Sequence, residues 1–165
     1  MRQFTRVAIC LLALAGFTAI RAQAQNPHFI GTASVLGVFS DGSISVGFKE
    51  AGLGSNQLIT YLFTGSFTAD YGCINKGGNH PSATNKTAVA GPINIPATFS
   101  SGKNGTISQT ITFTPPDASS VLSCPGNQVA VLADITYSGL ALEDETDEIF
   151  DALDSTSVSR IFFPF

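Results

Sequence analysis

The sequence lacks tryptophan and is poor in histidine and in charged residues, which make up 12% of its 165 residues. Its two histidines, His28 and His80, show neither H-x-H nor H-E-x-x-H spacing. A C-x-x-C pair, a G-x-S-x-G nucleophile motif and a phosphate-binding glycine loop are also absent. The sequence therefore carries no motif of a zinc site, a serine hydrolase or a nucleotide site. It favours a protein without catalytic activity, and an enzyme is the lesser alternative.

The N-terminal segment has the pattern of an export signal. Two arginines give it a positive start, residues 7–20 form an apolar run, and residues 22–24 (Ala-Gln-Ala) resemble a cleavage site. The run is short for a bilayer span, so a membrane anchor is the less favoured alternative. We predict a signal peptide at residues 1–24, whose removal would take Cys10 with it, and a single domain at residues 25–165.

Basic residues are scarce once the predicted signal is removed. Five Lys and Arg then stand against twelve Asp and Glu, which gives a net charge of about −7. Phosphate binding needs clustered cations, so we expect no nucleic-acid partner. The same charge disfavours anionic membrane surfaces, and no later segment is apolar enough to span a membrane.

Two cysteines, Cys73 and Cys124, remain in the predicted domain. In an exported protein such a pair most simply forms a disulfide, here closing a loop of about fifty residues. The alternative is a metal or redox pair, although two lone cysteines do not complete a zinc shell.

Apolar and polar residues alternate through most of the domain, which is the period of a half-buried strand. The residues in phase are Ile44, Val46 and Phe48; Ile59, Tyr61, Phe63, Phe67, Ala69 and Tyr71; Ile93, Ile95, Ala97 and Phe99; Ile107, Ile111 and Phe113; and Val129, Val131, Ala133, Ile135 and Tyr137.

Turn residues separate these segments. Residues 40–42 (Ser-Asp-Gly) and the pair Asn104-Gly105 predict hairpin turns, and Gly65 predicts a bulge or bend. Only the acidic stretch 143–154 has a weak helical pattern.

About seven strands follow from this pattern, so we predict an all-β fold, most simply an antiparallel β-sandwich of immunoglobulin-like architecture. A small closed β-barrel is the alternative. Without tryptophan the Cys…Trp…Cys signature is missing, so the likeness to immunoglobulin domains is one of architecture.

The stretch "YGCINKGGNHPSATNK", residues 71–86, is rich in glycine, asparagine and other turn residues. It is most simply a connection fastened by its cysteine. The alternative is a recognition loop on a rigid scaffold. The candidate binding residues are Asn75, Lys76, Asn79, His80, Asn85 and Lys86.

Seven of the twelve acidic residues lie in the stretch 143–154. The simplest interpretation is a solvated connection. The alternative is an irregular, weak calcium site, since a hard cation outside the cell prefers carboxylate oxygens. Its candidate ligands are Glu143, Asp144, Glu145, Asp147 and Glu148. No EF-hand glycine stands at the required position, and we expect no other cofactor.

Glycosidase chemistry needs two carboxylates at a set separation in a cleft. The remaining candidates are Asp41, Glu50, Asp70, Asp117 and Asp134. Asp134 is expected to face solvent, since it lies out of phase with its apolar neighbours on the strand.

Several segments together resemble a group of uncharacterised small secreted proteins, found mainly in bacteria. They are "FKEAGLG", "YGCINKGGNHPSATNK", "FSSGKNGTISQTITFTPP" and "LSCPGNQVAVLADITYS", within residues 46–138. In that group the two cysteines recur, as does the Ser-Gly-Lys-Asn-Gly turn. The resemblance implies an exported, disulfide-bearing β domain, extracellular or periplasmic, and implies no activity.

These observations favour a secreted, non-enzymatic binding module for an unknown extracellular ligand or protein. A structural or fimbrial-type assembly subunit is the alternative, because the first strand and the "RIFFPF" tail could be exchanged between chains. A small extracellular hydrolase is the least favoured.

Overall fold

The computed structural model describes residues 26–75, 77 and 85–164. The predicted signal peptide, residues 1–24, lies outside this range. The described residues form nine strands and one short helix. The strands are β1 (His28–Phe29), β2 (Ser34–Val38), β3 (Ile44–Ala51), β4 (Leu58–Ile74), β5 (Lys86–Ser100), β6 (Thr106–Phe113), β7 (Val129–Asp144), β8 (Ile149–Ala152) and β9 (Ser157–Ile161), and the helix is α1 (Ala118–Val121).

The strands form two antiparallel sheets. In the first sheet, β1 and β2 follow one another along one edge of β3, and β6 pairs with the other edge. In the second, the order is β5-β4-β7, and β8 and β9 share the far edge of β7. The nine strands thus occupy seven strand positions. The predicted β-sandwich is confirmed, and the closed-barrel alternative is wrong because the ladders of the described strands fall into two separate sheets. The immunoglobulin-like arrangement stays a prediction.

The core lies between the inner faces of the sheets, as the alternation predicts. On β4, every second residue from Ile59 to Tyr71 is buried apart from Gly65, and on β3 the same holds from Ile44 through Phe48. The Phe48 and Tyr61 rings, one from each sheet, lie 4.5 Å apart between centroids. Burying large aromatic side chains of this kind supplies much of the stabilisation of a sandwich core.

The hairpin predicted at residues 40–42 and the bulge predicted at Gly65 are confirmed, whereas the hairpin predicted at Asn104-Gly105 is wrong. Residues 39–43 close the β2–β3 hairpin, and Gly65 lies at a register shift between Thr64 and Ser66. Asn104-Gly105, however, does not join a hairpin, because β5 pairs with β4 and β6 pairs with β3. The turn carries the chain from one sheet to the other. It is held by the Ser101 hydroxyl, which donates to the carbonyl of Gly54 at 2.7 Å.

The acidic stretch 143–154 forms neither a helix nor a solvated connection. It supplies the end of β7, a turn at residues 145–148, and β8. Asp144 pairs with Ile149 across this hairpin and is fully buried. The interpretation as a solvated connection is therefore wrong for Asp144, although Glu145 and Glu148 are exposed.

Strand β5 is an edge strand among the described residues, and it contains two prolines. Pro92 and Pro96 lie opposite Ser66 and Leu62 of β4, and both side chains are exposed. The ladder continues past them without a register shift. A proline is tolerated in a ladder where its nitrogen faces away from the partner strand, and the two share this orientation because they lie four residues apart.

Candidate functional site

The predicted disulfide joins Cys73, near the end of β4, to Cys124, which follows α1. The end of the sandwich that carries it is called here the disulfide end. The predicted binding loop leaves the sheet at this end, because the amide of Cys73 donates to the carbonyl of Asn85 at 3.1 Å. Asn85 also donates through Nδ2 to Gln128 Oε1 at 3.4 Å. The loop base is thus tied to the start of β7.

Three of the six predicted binding residues, Asn75, Asn85 and Lys86, are placed by the structure at this loop base. The side chain of Asn75 accepts a hydrogen bond from the amide of Gly77 at 2.9 Å. The other three, Lys76, Asn79 and His80, lie outside the described residues. Recognition by the loop therefore stays a prediction.

A cleft opens beside this loop base, and its volume is about 470 Å³. Its walls come from both sheets, which places it at the mouth of the sandwich between the β2–β3 turn, the segment after β6, the start of β7 and the segment after β9. Its lining includes Asp41, Tyr71, Pro115, Asp117, Leu132 and Phe162.

Two carboxylates give the cleft its charge. The Oδ1 atom of Asp41 accepts from the amide of Ser43 at 3.0 Å and from its hydroxyl at 2.6 Å. Asp117 caps α1 and accepts from the amide of Ser119 at 2.8 Å. In each case the serine hydroxyl and amide lower the pKa of the carboxyl, because hydrogen bonds stabilise the ionised form. Both groups are therefore negatively charged at neutral pH.

The apolar walls of the cleft are held in place by hydrogen bonds. The Tyr71 hydroxyl donates to the carbonyl of Pro116 at 2.7 Å, which fixes the segment after β6 against β4. The amides of Phe162 and Phe163 donate to the carbonyl of Ala133 at 2.7 and 3.0 Å. The segment after β9 is thereby fastened to β7, and the cleft is built on rigid elements.

A second polar cluster lies at the opposite end of the sandwich, called here the acidic end. Glu50 of β3 and Asp144 of β7 are both fully buried. Tyr61 of β4 donates its hydroxyl to Glu50 Oε2 at 2.6 Å. Asp144 Oδ1 accepts from the amides of Thr146 and Asp147 at 2.7 and 3.2 Å. Carboxyl groups from both sheets therefore meet in the core.

The structure does not bring the five calcium candidates together. Asp144 and Asp147 lie near Glu50, whereas Glu145 and Glu148 are exposed in the turn and Glu143 lies opposite Phe150. Among the residues that the structure describes, no group of three or more histidine, cysteine, aspartate or glutamate side chains is arranged to hold a metal ion. We do not assign these residues as metal ligands.

The other four carboxylates considered for glycosidase chemistry form two separate groups. Asp41 and Asp117 line the cleft, whereas Asp70 and Asp134 lie directly opposite each other on β4 and β7. Partial burial raises the pKa of Asp134, and the neighbouring Asp70 raises it further. Asp134 is half-buried rather than freely solvated.

The proximity of Glu50 and Asp144 was not predicted, although the sequence carries a signal for it. Glu50 continues the inward phase of Ile44, Val46 and Phe48 by one more step. Asp144 likewise continues the phase of Leu140 and Leu142. A charged residue in phase with a buried stripe indicates a carboxyl group in the core, and that signal could have identified both.

No family model and no curated protein matches this chain. A comparison with solved structures finds a likeness to the crystal structure of Spo0M, a sporulation control protein of Bacillus subtilis, at 15% identity and a TM-score of 0.27. The match covers 81% of this chain and 49% of that protein, so the chain spans about half the length of Spo0M. A likeness of this size assigns neither a fold family nor a function. Separately, no helix among the described residues is long and apolar enough to cross a membrane.

Proposed function

We propose that the protein is an exported, non-enzymatic binding module that holds its ligand in the cleft at the disulfide end. The observation that carries the proposal is the cleft itself, a cavity of about 470 Å³ with apolar walls and two ionised carboxylates. Concave, largely apolar sites with a few polar groups are the usual form of ligand sites. Loops at one end of a β-sandwich commonly serve this role, in keeping with the predicted immunoglobulin-like arrangement.

The lining residues favour a ligand that combines an apolar surface with a positive charge. Asp41 and Asp117 are the charged residues of the lining, and both are acidic. The Phe162 ring already holds the Arg160 guanidinium 4.9 Å from its centroid, and the Phe163 ring of the lining can attract a further cation through its quadrupole. An anionic ligand would meet repulsion from both carboxylates. A cationic amphipathic peptide is the partner that fits this chemistry.

Export is supported by the disulfide and by the predicted signal peptide. Disulfides persist in oxidising compartments and are rare in reducing ones. The expected net charge of about −7 for residues 25–165 would also attract cationic partners to the surface. We place the protein outside the cytoplasm, in the extracellular medium or the periplasm.

Calorimetric titration with a short peptide of alternating lysine and leucine tests the proposal. We expect it to bind, and to bind less tightly at high salt because screening weakens the attraction. Asp41→Asn and Asp117→Asn should each weaken binding severalfold. Asparagine keeps an acceptor oxygen for the serine hydrogen bonds, and it is also a good helix cap. These variants should therefore keep their folds.

Glu145→Gln is the matched control, because it removes one negative charge at the acidic end, far from the cleft. It should leave the affinity for the peptide unchanged. Equal loss of affinity in Glu145→Gln and Asp41→Asn would mean that the peptide responds only to overall charge. Equal binding of a peptide with glutamate in place of lysine would also contradict the proposal.

The alternative function, an assembly subunit, requires a terminal strand that can be exchanged between chains. Strands β1 and β2 pair with β3, and β9 pairs with β7, so the strand positions at both ends of the described chain are filled from within. Exchange would require one of these strands to detach. Concentration-dependent oligomers, detected by sedimentation velocity, would favour that alternative.

A further inference from the structure

Three buried carboxylate oxygens at the acidic end have no hydrogen-bond partner. They are Glu50 Oε1, Asp144 Oδ2 and Asp147 Oδ2. Glu50 and Asp144 are wholly shielded from solvent. Buried polar atoms are nearly always paired, because leaving one unpaired forfeits its hydration without replacement. The unpaired oxygens of Glu50 and Asp144, the two wholly buried residues, therefore require a partner.

Among the described residues, no positively charged group acts on Glu50 or Asp144. The titratable groups that act on Glu50 are Tyr61 from β4, Asp144 from β7 and Asp147 from the following turn. Its strand neighbours are apolar, since Phe29 of β1 and Ile107 of β6 lie opposite it in register. Lys49, the next residue on β3, is exposed on the outer face. Two ionised carboxylates cannot be held together in such a site without a compensating charge.

A single proton meets this requirement and explains two of the three unpaired oxygens. The outer oxygens of the pair are already engaged, since Glu50 Oε2 accepts from Tyr61 and Asp144 Oδ1 accepts from two backbone amides. A proton on Glu50 Oε1 would donate to Asp144 Oδ2, making each unpaired oxygen the partner of the other. No covalent bond is broken in this step, and the proton comes from solvent during folding.

We propose that Glu50 and Asp144 share one proton, and that this carboxyl–carboxylate hydrogen bond is a pH-sensitive link between the two sheets at the acidic end. Glu50 is the donor and Asp144 the acceptor. Glu50 belongs to the first sheet and Asp144 to the second, so removal of the proton leaves two negative charges facing each other across the core.

The electrostatics of the pair agree with this assignment. The pKa of Glu50 is raised from 4.5 to about 7, chiefly by burial and also by Asp144 and Asp147, against the lowering effect of the Tyr61 hydrogen bond. Burial also raises the pKa of Asp144, while the amides of Asp147 and Thr146 lower it. The proposed hydrogen bond would raise the pKa of Glu50 and lower that of Asp144, the directions expected when Glu50 keeps the proton.

The sign of the pH dependence follows from linkage. The pKa of Glu50 is higher in the folded chain than in the unfolded chain, so the folded state binds more protons between pH 4.5 and about 7. Stability should therefore fall as pH rises through this window and level off above it. Asp134 and Asp144 contribute in the same direction, because their pKa values are also raised, so the contribution of Glu50 to the pH dependence must be isolated by substitution.

The experiment is a series of thermal melts of the purified, disulfide-bonded protein from pH 5 to pH 8 at constant ionic strength. We expect the melting temperature to fall by several degrees across this range. Glu50→Gln should remove most of that fall, because its amide donates to Asp144 at every pH. Glu145→Gln, at the same end but exposed, should keep the full slope, and Asp134→Asn should remove only its own share. A Glu50→Gln variant with the wild-type slope would overturn the proposal.

In a second set of thermal melts, the protein is heated with calcium and with a chelator at pH 5 and at pH 8. We expect neither addition to shift the melting temperature. A calcium-induced rise at pH 8 that disappears in Glu50→Gln would show that the unpaired oxygens bind a cation instead, and would overturn the shared proton. If Glu50→Gln does not fold, carboxyl carbon chemical shifts of the wild-type protein provide the test. A Glu50 signal that titrates at the ordinary value for glutamate would refute the proposal.

Discussion

Asp41 and Glu50 lie nine residues apart, at opposite ends of β3, and their carboxyl groups behave in opposite ways. Asp41 sits at the surface of the disulfide end, where the Ser43 hydroxyl and amide keep it ionised. Glu50 lies in the core of the acidic end, where burial favours its protonated form. The comparison shows that exposure and the number of donors decide whether a carboxyl acts as a charge or as a hydrogen-bonding group. In this sandwich an ionised carboxylate such as Asp41 suits ligand binding, and a protonated carboxyl group such as Glu50 suits the linking of the two sheets.

The largest expected effect comes from breaking the covalent link at the disulfide end. Cys73→Ser should lower the free energy of unfolding by about 3–4 kcal/mol, because the link closes a loop of 51 residues in the unfolded chain. Denaturant unfolding under oxidising conditions measures the loss. The double variant Cys73→Ser/Cys124→Ser should match the single one. An undiminished stability would mean that the link contributes nothing.

Alanine substitutions at two glycines, Gly42 and Gly126, test the packing beside the cleft. Gly42 has a φ of +85°, and a Cβ there would lie 2.4 Å from Leu132 Cδ2. Gly126 has a φ of +61° with nothing within 4 Å. Both alanine variants bear the cost of a left-handed residue, but only Gly42→Ala adds a clash. We expect Gly42→Ala to be less stable than Gly126→Ala by about 2 kcal/mol, measured by denaturant unfolding.

Equal stabilities of the two alanine variants would show that Leu132 yields without cost. In that case the Leu132 side chain moves aside more easily than its contacts suggest, and the cleft at the disulfide end is not rigid.

The smallest effect is expected at the acidic end, from removal of the Tyr61 hydroxyl. Tyr61→Phe keeps the ring packing and deprives Glu50 Oε2 of its donor. We expect a loss of about 1–2 kcal/mol. The loss should be greater at pH 8 than at pH 5, because a hydrogen bond to an ionised acceptor is stronger. Unfolding curves at the two pH values test this, and a loss independent of pH would show that Glu50 does not change its charge between them.

The sequence was sufficient for the parts of the fold that depend on local pattern. Alternation along β3 and β4 predicted which side chains face the core, and Gly65 predicted the register shift. The turn at Asn104-Gly105 was recognised as a turn, but local chemistry does not determine which strands a turn connects. Strand pairing across sheets depends on long-range packing, so the predicted hairpin proved to be a crossing between the two sheets.

The candidate sites were predictable only in part, for a similar reason. The disulfide followed from the cysteine count and the compartment predicted for the chain. The cleft depends on five segments distant in sequence, and no single stretch carries its signature. The overall composition of the acidic run suggests solvent exposure throughout. Asp144, however, continues the buried stripe of β7, whereas Glu145 and Glu148 face solvent.

The two prolines of β5 have a consequence for how the molecule behaves in crowded surroundings. An exposed sheet edge can recruit strands from neighbouring chains and so seed fibres. At Pro92 and Pro96 the outward side of the β5 edge offers no N–H donor, and an incoming strand would find two breaks in its ladder. At high local concentration, this edge therefore resists the growth of intermolecular sheets.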